Sequence, residues 1–122
     1  MRRLVSAAAM LSTLTVALAD AEAQGPSQPR LLCERGPIST KTFGGTQWQI
    51  YGCNDNRSVA IVTAPGNPAI PFYFLLAEIN GVYTVSGEGT GRRDLTAKAY
   101  NDIIKLTRPQ IDAIVKETLK RN

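Results

Sequence analysis

Hydrophobic and polar positions along this chain change their period twice, and each change marks a different kind of element. The first stretch, Leu4 to Ala19, is an apolar run without charge that follows Met1-Arg2-Arg3. From Ile38 the pattern alternates with period two, as a half-buried strand does. Ile38 to Phe43, Gly44-Gly45 and Thr46 to Cys53 read as a hairpin, because paired glycines tolerate the positive φ of a two-residue turn. In that register Trp48 and Ile50 share an apolar face with Phe43, opposite Lys41 and Ser39. Gln47 and Gln49 share the polar face with Thr42 and Thr40, while Ile38 and Tyr51 interrupt it at the open end. The same pairing sets Cys53 opposite Gly36, close to Cys33.

Asn54-Asp55-Asn56-Arg57 is a turn, and Ser58 to Ala64 is a third strand, rich in β-branched residues and broken by Pro65-Gly66-Asn67-Pro68. Pro71 then opens Phe72 to Ile79, and Asn80-Gly81 is a strong hairpin signal before Val82 to Gly89. Pairing around that turn places Phe72, Phe74 and Leu76 on one face with Gly89, Gly87 and Val85. Tyr73, Leu75, Ala77 and Ile79 take the other face, with Glu88, Ser86, Thr84 and Val82. The period then becomes helical. Asp94 caps a helix reaching about Leu106, with Leu95, Ala99, Ile103 and Leu106 as its stripe. Thr107-Arg108-Pro109-Gln110 carries a capping-box signature, and Ile111, Ile114, Val115 and Leu119 form the stripe of a second helix. Strands followed by helices predict an α+β fold: an antiparallel sheet of about five strands (two hairpins plus a linking strand) with a pair of C-terminal helices packed on one face.

The basic start, apolar run and small residues Ala21 and Ala23 read as a secretory signal peptide cleaved after Ala23, or else after Ala19. The run is shorter than the roughly 20 residues of a spanning helix, which disfavours an uncleaved anchor. The expected organisation is therefore a signal peptide over 1–23, a flexible lead-in over 24–30 and a single α+β domain over 31–122. The mature product is expected to be periplasmic or secreted, with no membrane span. In an oxidising compartment the pair Cys33 and Cys53 predicts a disulfide, stabilising by roughly 3 kcal/mol in the chain-entropy model. Redox or metal-binding thiols are the competing reading. Their spacing is far from C-x-x-C, and the chain has no His to complete a metal site.

The formal net charge is +4. Lys98, Lys105, Arg108, Lys116, Lys120 and Arg121 alternate with Asp102, Asp112 and Glu117, the pattern of a solvated helix face rather than a nucleic-acid stripe. Absence of His removes Ser-His and Cys-His nucleophiles. The carboxylates Glu34, Asp55, Glu78, Glu88, Asp94, Asp102, Asp112 and Glu117 form no evident convergent pair. The expected function is a non-catalytic binding or interaction module without a cofactor, its partner an envelope protein or small ligand. The competing class is a small carboxylate-dependent enzyme with Glu88 as acid or base.

The most unusual string runs from Ser86 to Asp94, with three glycines and a pair of arginines. Exposed amides, a helix start, Arg92 and Arg93 suit a phosphate or carboxylate. The plainer reading is that the glycines make room for the facing phenylalanines and the arginines are solvated. Tyr73, Leu75, Ser86, Glu88, Arg92 and Arg93 are the candidate binding residues. Val59, Ile61, Tyr73, Leu75 and Ile79 are expected to form an apolar patch away from the helices, a partner or homodimer surface. Trp48 is assigned to the core.

Tyr51-Gly52-Cys53, followed by two strands and Ser86-Gly87-Glu88-Gly89, resembles the arrangement in membrane-bound or periplasmic C-type lysozyme inhibitors. Those have a Cys-containing strand and a Ser-Gly loop that enters the lysozyme cleft. The resemblance covers about a third of the chain. This sequence lacks the family's Tyr after the loop and turns helical where the family continues with strands. The resemblance implies inhibition of an external hydrolase such as lysozyme, with Ser86 matching the inserted serine and Arg92 the basic partner.

Overall fold

A pair of two-residue turns sets the sheet. Gly44 and Gly45 adopt φ of 61° and 80°, and Asn80 and Gly81 adopt 53° and 83°, the left-handed pairs of tight hairpins. The computed structural model describes residues 30–120. The expected signal peptide, and the lead-in up to residue 29, lie outside the described residues. The strands are β1 (Arg35–Phe43), β2 (Thr46–Gly52), β3 (Val59–Thr63), β4 (Phe72–Ile79) and β5 (Val82–Gly89), followed by helices α1 (Arg93–Ile103) and α2 (Arg108–Leu119). The strands form one antiparallel sheet in the order β1-β2-β3-β4-β5, and the helices pack on one face of it. The expected α+β architecture is the observed one.

The helix-facing side is the core. Phe43, Trp48, Ile50, Val59, Ile61, Phe74 and Leu76 come from the sheet, and Ala99, Ile103, Ile111 and Ile114 from the helices. Each large aliphatic or aromatic side chain buried here stabilises by about 1.5–3 kcal/mol relative to exposure. Trp48 is in this core, as expected. Val59 and Ile61 belong to it too, which corrects the expected outer patch. Val59 pairs with Gly52 and Leu76, and Ile61 with Ile50 and Phe74, so alternation turns Ala60 and Val62 outward instead.

The first hairpin keeps its expected register from Phe43↔Thr46 to Ser39↔Ile50, then slips so that Arg35 pairs with Gly52. Gly36, Pro37 and Ile38 lie opposite Tyr51, and the expected pairing of Gly36 with Cys53 is not made. Pro37 has no amide to give the ladder, and Gly36, at φ 152°, takes a conformation other residues avoid. The open end is closed all the same by the Cys33–Cys53 disulfide. Beside it the Asn54 amide donates to the Leu32 carbonyl (2.8 Å) and the Leu32 amide to Asn54 Oδ1 (3.0 Å).

Helix α1 begins at Arg93, so Asp94 lies in the first turn rather than at the cap, and no side chain caps the helix. The helix ends at Ile103, short of the expected Leu106. In α2 the capping box forms as expected, with Thr107 accepting from the Gln110 amide and Gln110 accepting from Thr107. Its buried stripe ends on Thr118, while Leu119 is exposed. The reason is a close approach at Gly52, where a Cβ would fall 2.8 Å from that of Thr118 and 2.7 Å from Arg35 Nη2. Arg35 lies over this glycine and donates from Nε to the Thr118 carbonyl (3.0 Å) and from Nη2 to the Cys53 carbonyl (3.3 Å). One guanidinium thus joins the first strand, the disulfide and the end of the last helix.

The β2–β3 turn is held by Asp55. Its Oδ1 accepts from the amides of Arg57 (2.9 Å) and Ser58 (2.8 Å), and its Oδ2 from the Ser58 hydroxyl (2.6 Å). Burial pushes this carboxyl up, but the Ser58 hydroxyl, the two amides and the Arg57 charge outweigh it and hold the pKa below its ordinary value. A carboxyl lowered on folding adds stability above its unfolded pKa and loses it as pH falls through the folded one. Asp55→Ala is therefore expected to cost about 1 kcal/mol near pH 7, the partial exposure keeping the figure small. The gap between the two proteins should close as urea unfolding is repeated below about pH 4. A gap that stays constant with pH would show that the charge contributes nothing.

Candidate functional site

The six sequence-predicted site residues do not converge on one place. Tyr73 pairs with Glu88, and Leu75 with Ser86, on the sheet face away from the helices. There the Tyr73 hydroxyl donates to Glu88 (3.2 Å), and this bond, with the nearby carboxylate charge, raises the phenol's pKa. Tyr73 and Glu88 also border a shallow hollow with Val62, Ile70 and Pro71. The outer face keeps Tyr73, Leu75 and Ile79 of the expected patch.

The arginines part company. Arg92 folds back on Asp94, with Nη2 2.7 Å and Nε 3.2 Å from the carboxylate oxygens. The hydrogen bond to Arg92 is the main force holding the Asp94 carboxyl below its usual value. Arg93 makes no ion pair or side-chain hydrogen bond among the described residues. It lines a groove of 720 Å³ between β5 and α1, walled by Phe72, Phe74, Ala97 and Tyr100.

Glycines shape this groove. A Cβ on Gly87 would fall 2.8 Å from the Phe72 ring and 2.9 Å from that of Phe74, so the facing phenylalanines lie over bare backbone. Their ring centroids are 5.0 Å apart, and Phe74 also meets Tyr100 at 6.3 Å. Gly91 passes so near the Ala69 carbonyl that no side chain fits, which draws the β5–α1 connection against the β3–β4 loop. A smaller cavity of 190 Å³ lies further along β5, lined by Val85, Tyr83, Ile103 and Ile104 and sharing Tyr100 with the first. The far end is closed by Arg108, which lies 4.9 Å from the Tyr83 ring centre and bonds to Asp112, Glu78 and the Gly81 carbonyl.

One of the two edges of the sheet runs along the same groove. β5 is the last strand in the order, so among the described residues nothing pairs with its outer side. The Asn80-Gly81 turn makes Ile79 and Val82 a hydrogen-bonded pair, and bonded pairs then alternate. The Thr90 amide bonding to the Pro71 carbonyl (3.1 Å) confirms this phase at the other end. Tyr83, Val85, Gly87 and Gly89 therefore aim their peptide groups outward. On the helix side, Arg93, Ala97, Tyr100 and Ile104 follow one another at helical spacing and face the groove. Tyr100 and Ile104 remain 41% and 49% exposed, so this second apolar stripe of the α1 segment is not used by the core.

Sequence reasoning found Arg93 but missed Ala97, Tyr100 and Ile104. Their spacing was the available signal, a second stripe beside Leu95, Ala99 and Ile103. The Ser86-Gly87-Glu88-Gly89 segment is strand throughout, with Ser86 opposite Leu75. It does not form the projecting Ser-Gly loop that the resemblance to lysozyme inhibitors implies, and the chain goes on into helices. Among the described residues no group of acidic or Cys side chains is placed to hold a metal ion, and no helix is long and apolar enough to cross a membrane. No family model, curated protein or solved structure significantly matches this chain.

Proposed function

We propose that this chain is a small exported binding module, acting without catalysis, that takes an extended peptide segment of an envelope protein along the edge of β5. Its place is the periplasm or the exterior, after removal of the signal peptide over 1–23. The supporting observation is the coincidence of an unpaired strand edge with an apolar groove directly beneath it. Strand addition supplies main-chain hydrogen bonds, and pockets for alternate side chains supply selectivity. The outward groups from Tyr83 to Gly89 span about 20 Å, enough for roughly six residues of guest strand. The edge also lacks the Lys, Pro or bulge with which sheets usually guard such a strand.

Ala97→Trp tests the reading, because Ala97 is exposed on α1 and a ring there fills the groove without entering the core. The mature domain is expected to retain peptides from a biotinylated random octapeptide library, with affinities of about 1–100 μM. The variant should bind at least about tenfold more weakly, a loss of about 1.4 kcal/mol, at unchanged melting temperature. In the parent, bound peptide should shift the amide resonances of Val85, Gly87 and Gly89. Undiminished binding by the variant, or β5 amides that do not respond, would defeat the proposal.

A further inference from the structure

We infer that the β5–α1 groove reads the end of its guest: it takes a C-terminal segment, laid parallel to β5, with the terminal carboxylate on Arg93. The inference rests on the peptide-binding reading above and adds direction and chemistry to it. Its basis is the different fate of the three arginines at and around the groove. Arg92 is neutralised by Asp94 at 2.7 Å, and Arg108, at the far end, by Asp112 at 3.1 Å and Glu78 at 3.7 Å. Of these three arginines, Arg93 makes no ion pair or side-chain hydrogen bond among the described residues, and it stands where β5 ends and the groove opens. A guest anion placed there gains a cation that need not first break an ion pair.

Direction follows from position. β5 runs toward Gly89, and Arg93 lies just beyond that end. A guest strand parallel to β5 brings its C-terminus to Arg93, whereas an antiparallel one brings its ammonium group there and is repelled. Planar, bidentate donors suit a carboxylate, and the apolar walls beside Arg93 lower the local dielectric and strengthen the contact. The residue before the terminal one then points its side chain outward, and the terminal side chain enters the space over Gly87 and Gly89. Those glycines leave room between Phe72 and Tyr100, so an apolar terminal residue fits best.

The test uses one octapeptide library made twice, once as free C-terminal acids and once as C-terminal amides, presented to the mature domain and to Arg93→Gln. The parent is expected to prefer the acids by about tenfold, and the preference should shrink as salt rises to 0.5 M, where screening is short-ranged. Arg93→Gln should abolish the preference, so that acids and amides bind it equally. Equal binding of acids and amides by the parent would overturn the inference yet leave strand addition standing. So would a preference that survives in Arg93→Gln. Binding of neither library would overturn both readings together.

Discussion

Trp48→Ala is expected to lower the unfolding free energy of the domain by about 3–5 kcal/mol, as large-to-small changes at fully buried aromatics do. Trp48 is completely buried, with its ring centre 5.2 Å from that of Phe74. Its Nε1 donates to the Phe43 carbonyl (3.2 Å) and to Thr46 Oγ1 (3.0 Å), so the ring also ties the first hairpin's turn to the core. A domain of this size holds about 5–15 kcal/mol in total, so the variant loses a large part of its stability. Its melting temperature should fall by more than about 12 °C. Trp48→Phe keeps an aromatic ring and should cost less, about 1–2 kcal/mol, because Thr46 still donates to the Phe43 carbonyl at 3.1 Å. Far-UV circular dichroism in urea follows both, since the tryptophan signal itself is lost. A cost below about 1 kcal/mol for the alanine variant would contradict the position assigned to this ring.

Removing the disulfide by Cys33→Ala with Cys53→Ala is expected to cost about 3 kcal/mol, the chain-entropy value for a loop of this length. The bond joins residues 20 apart in sequence and encloses the whole first hairpin. Reduced parent protein should unfold at the same urea concentration as the double variant, because both lose the same restraint on the unfolded chain. The two small substitutions leave the Arg35 bond to the Cys53 carbonyl available, so most of the loss should come from the unfolded state. An oxidised parent no more stable than its reduced form would show that the restraint is absent in solution.

Local turn chemistry made much of this fold legible. Gly44-Gly45 and Asn80-Gly81 each specify a tight hairpin, and counting outward from them correctly places Trp48, Ile50, Phe74 and Leu76 on one face. The count failed where a local break intervened, at Gly36-Pro37, and β1 slipped relative to Cys53. It also failed for β3, because Val59, Ala60, Ile61 and Val62 are all apolar and offer no alternation to choose a face. Leu119 and Thr118 were exchanged for a tertiary reason: α2 lands on Gly52, and only that landing decides which neighbour turns inward. The groove was the least legible part. Ala97 and Tyr100 look like ordinary helix surface until α1 is seen to run beneath a strand edge.

The bond from Arg35 to the Thr118 carbonyl has a consequence for how the chain matures in time. A meander pairs each strand with its predecessor, so the sheet can grow as the polypeptide lengthens, with little loop to close at each step. Its apolar side, however, is covered only by segments made afterward, and β1 waits for α2, whose Glu117 also meets Ser39 (3.3 Å) and Lys41 (3.3 Å). Until those last turns arrive, Trp48, Ile50 and Ile61 face water on an otherwise formed sheet. The nascent chain is thus most adhesive just before α2 joins the sheet, and chaperones that shield such surfaces have their opportunity then.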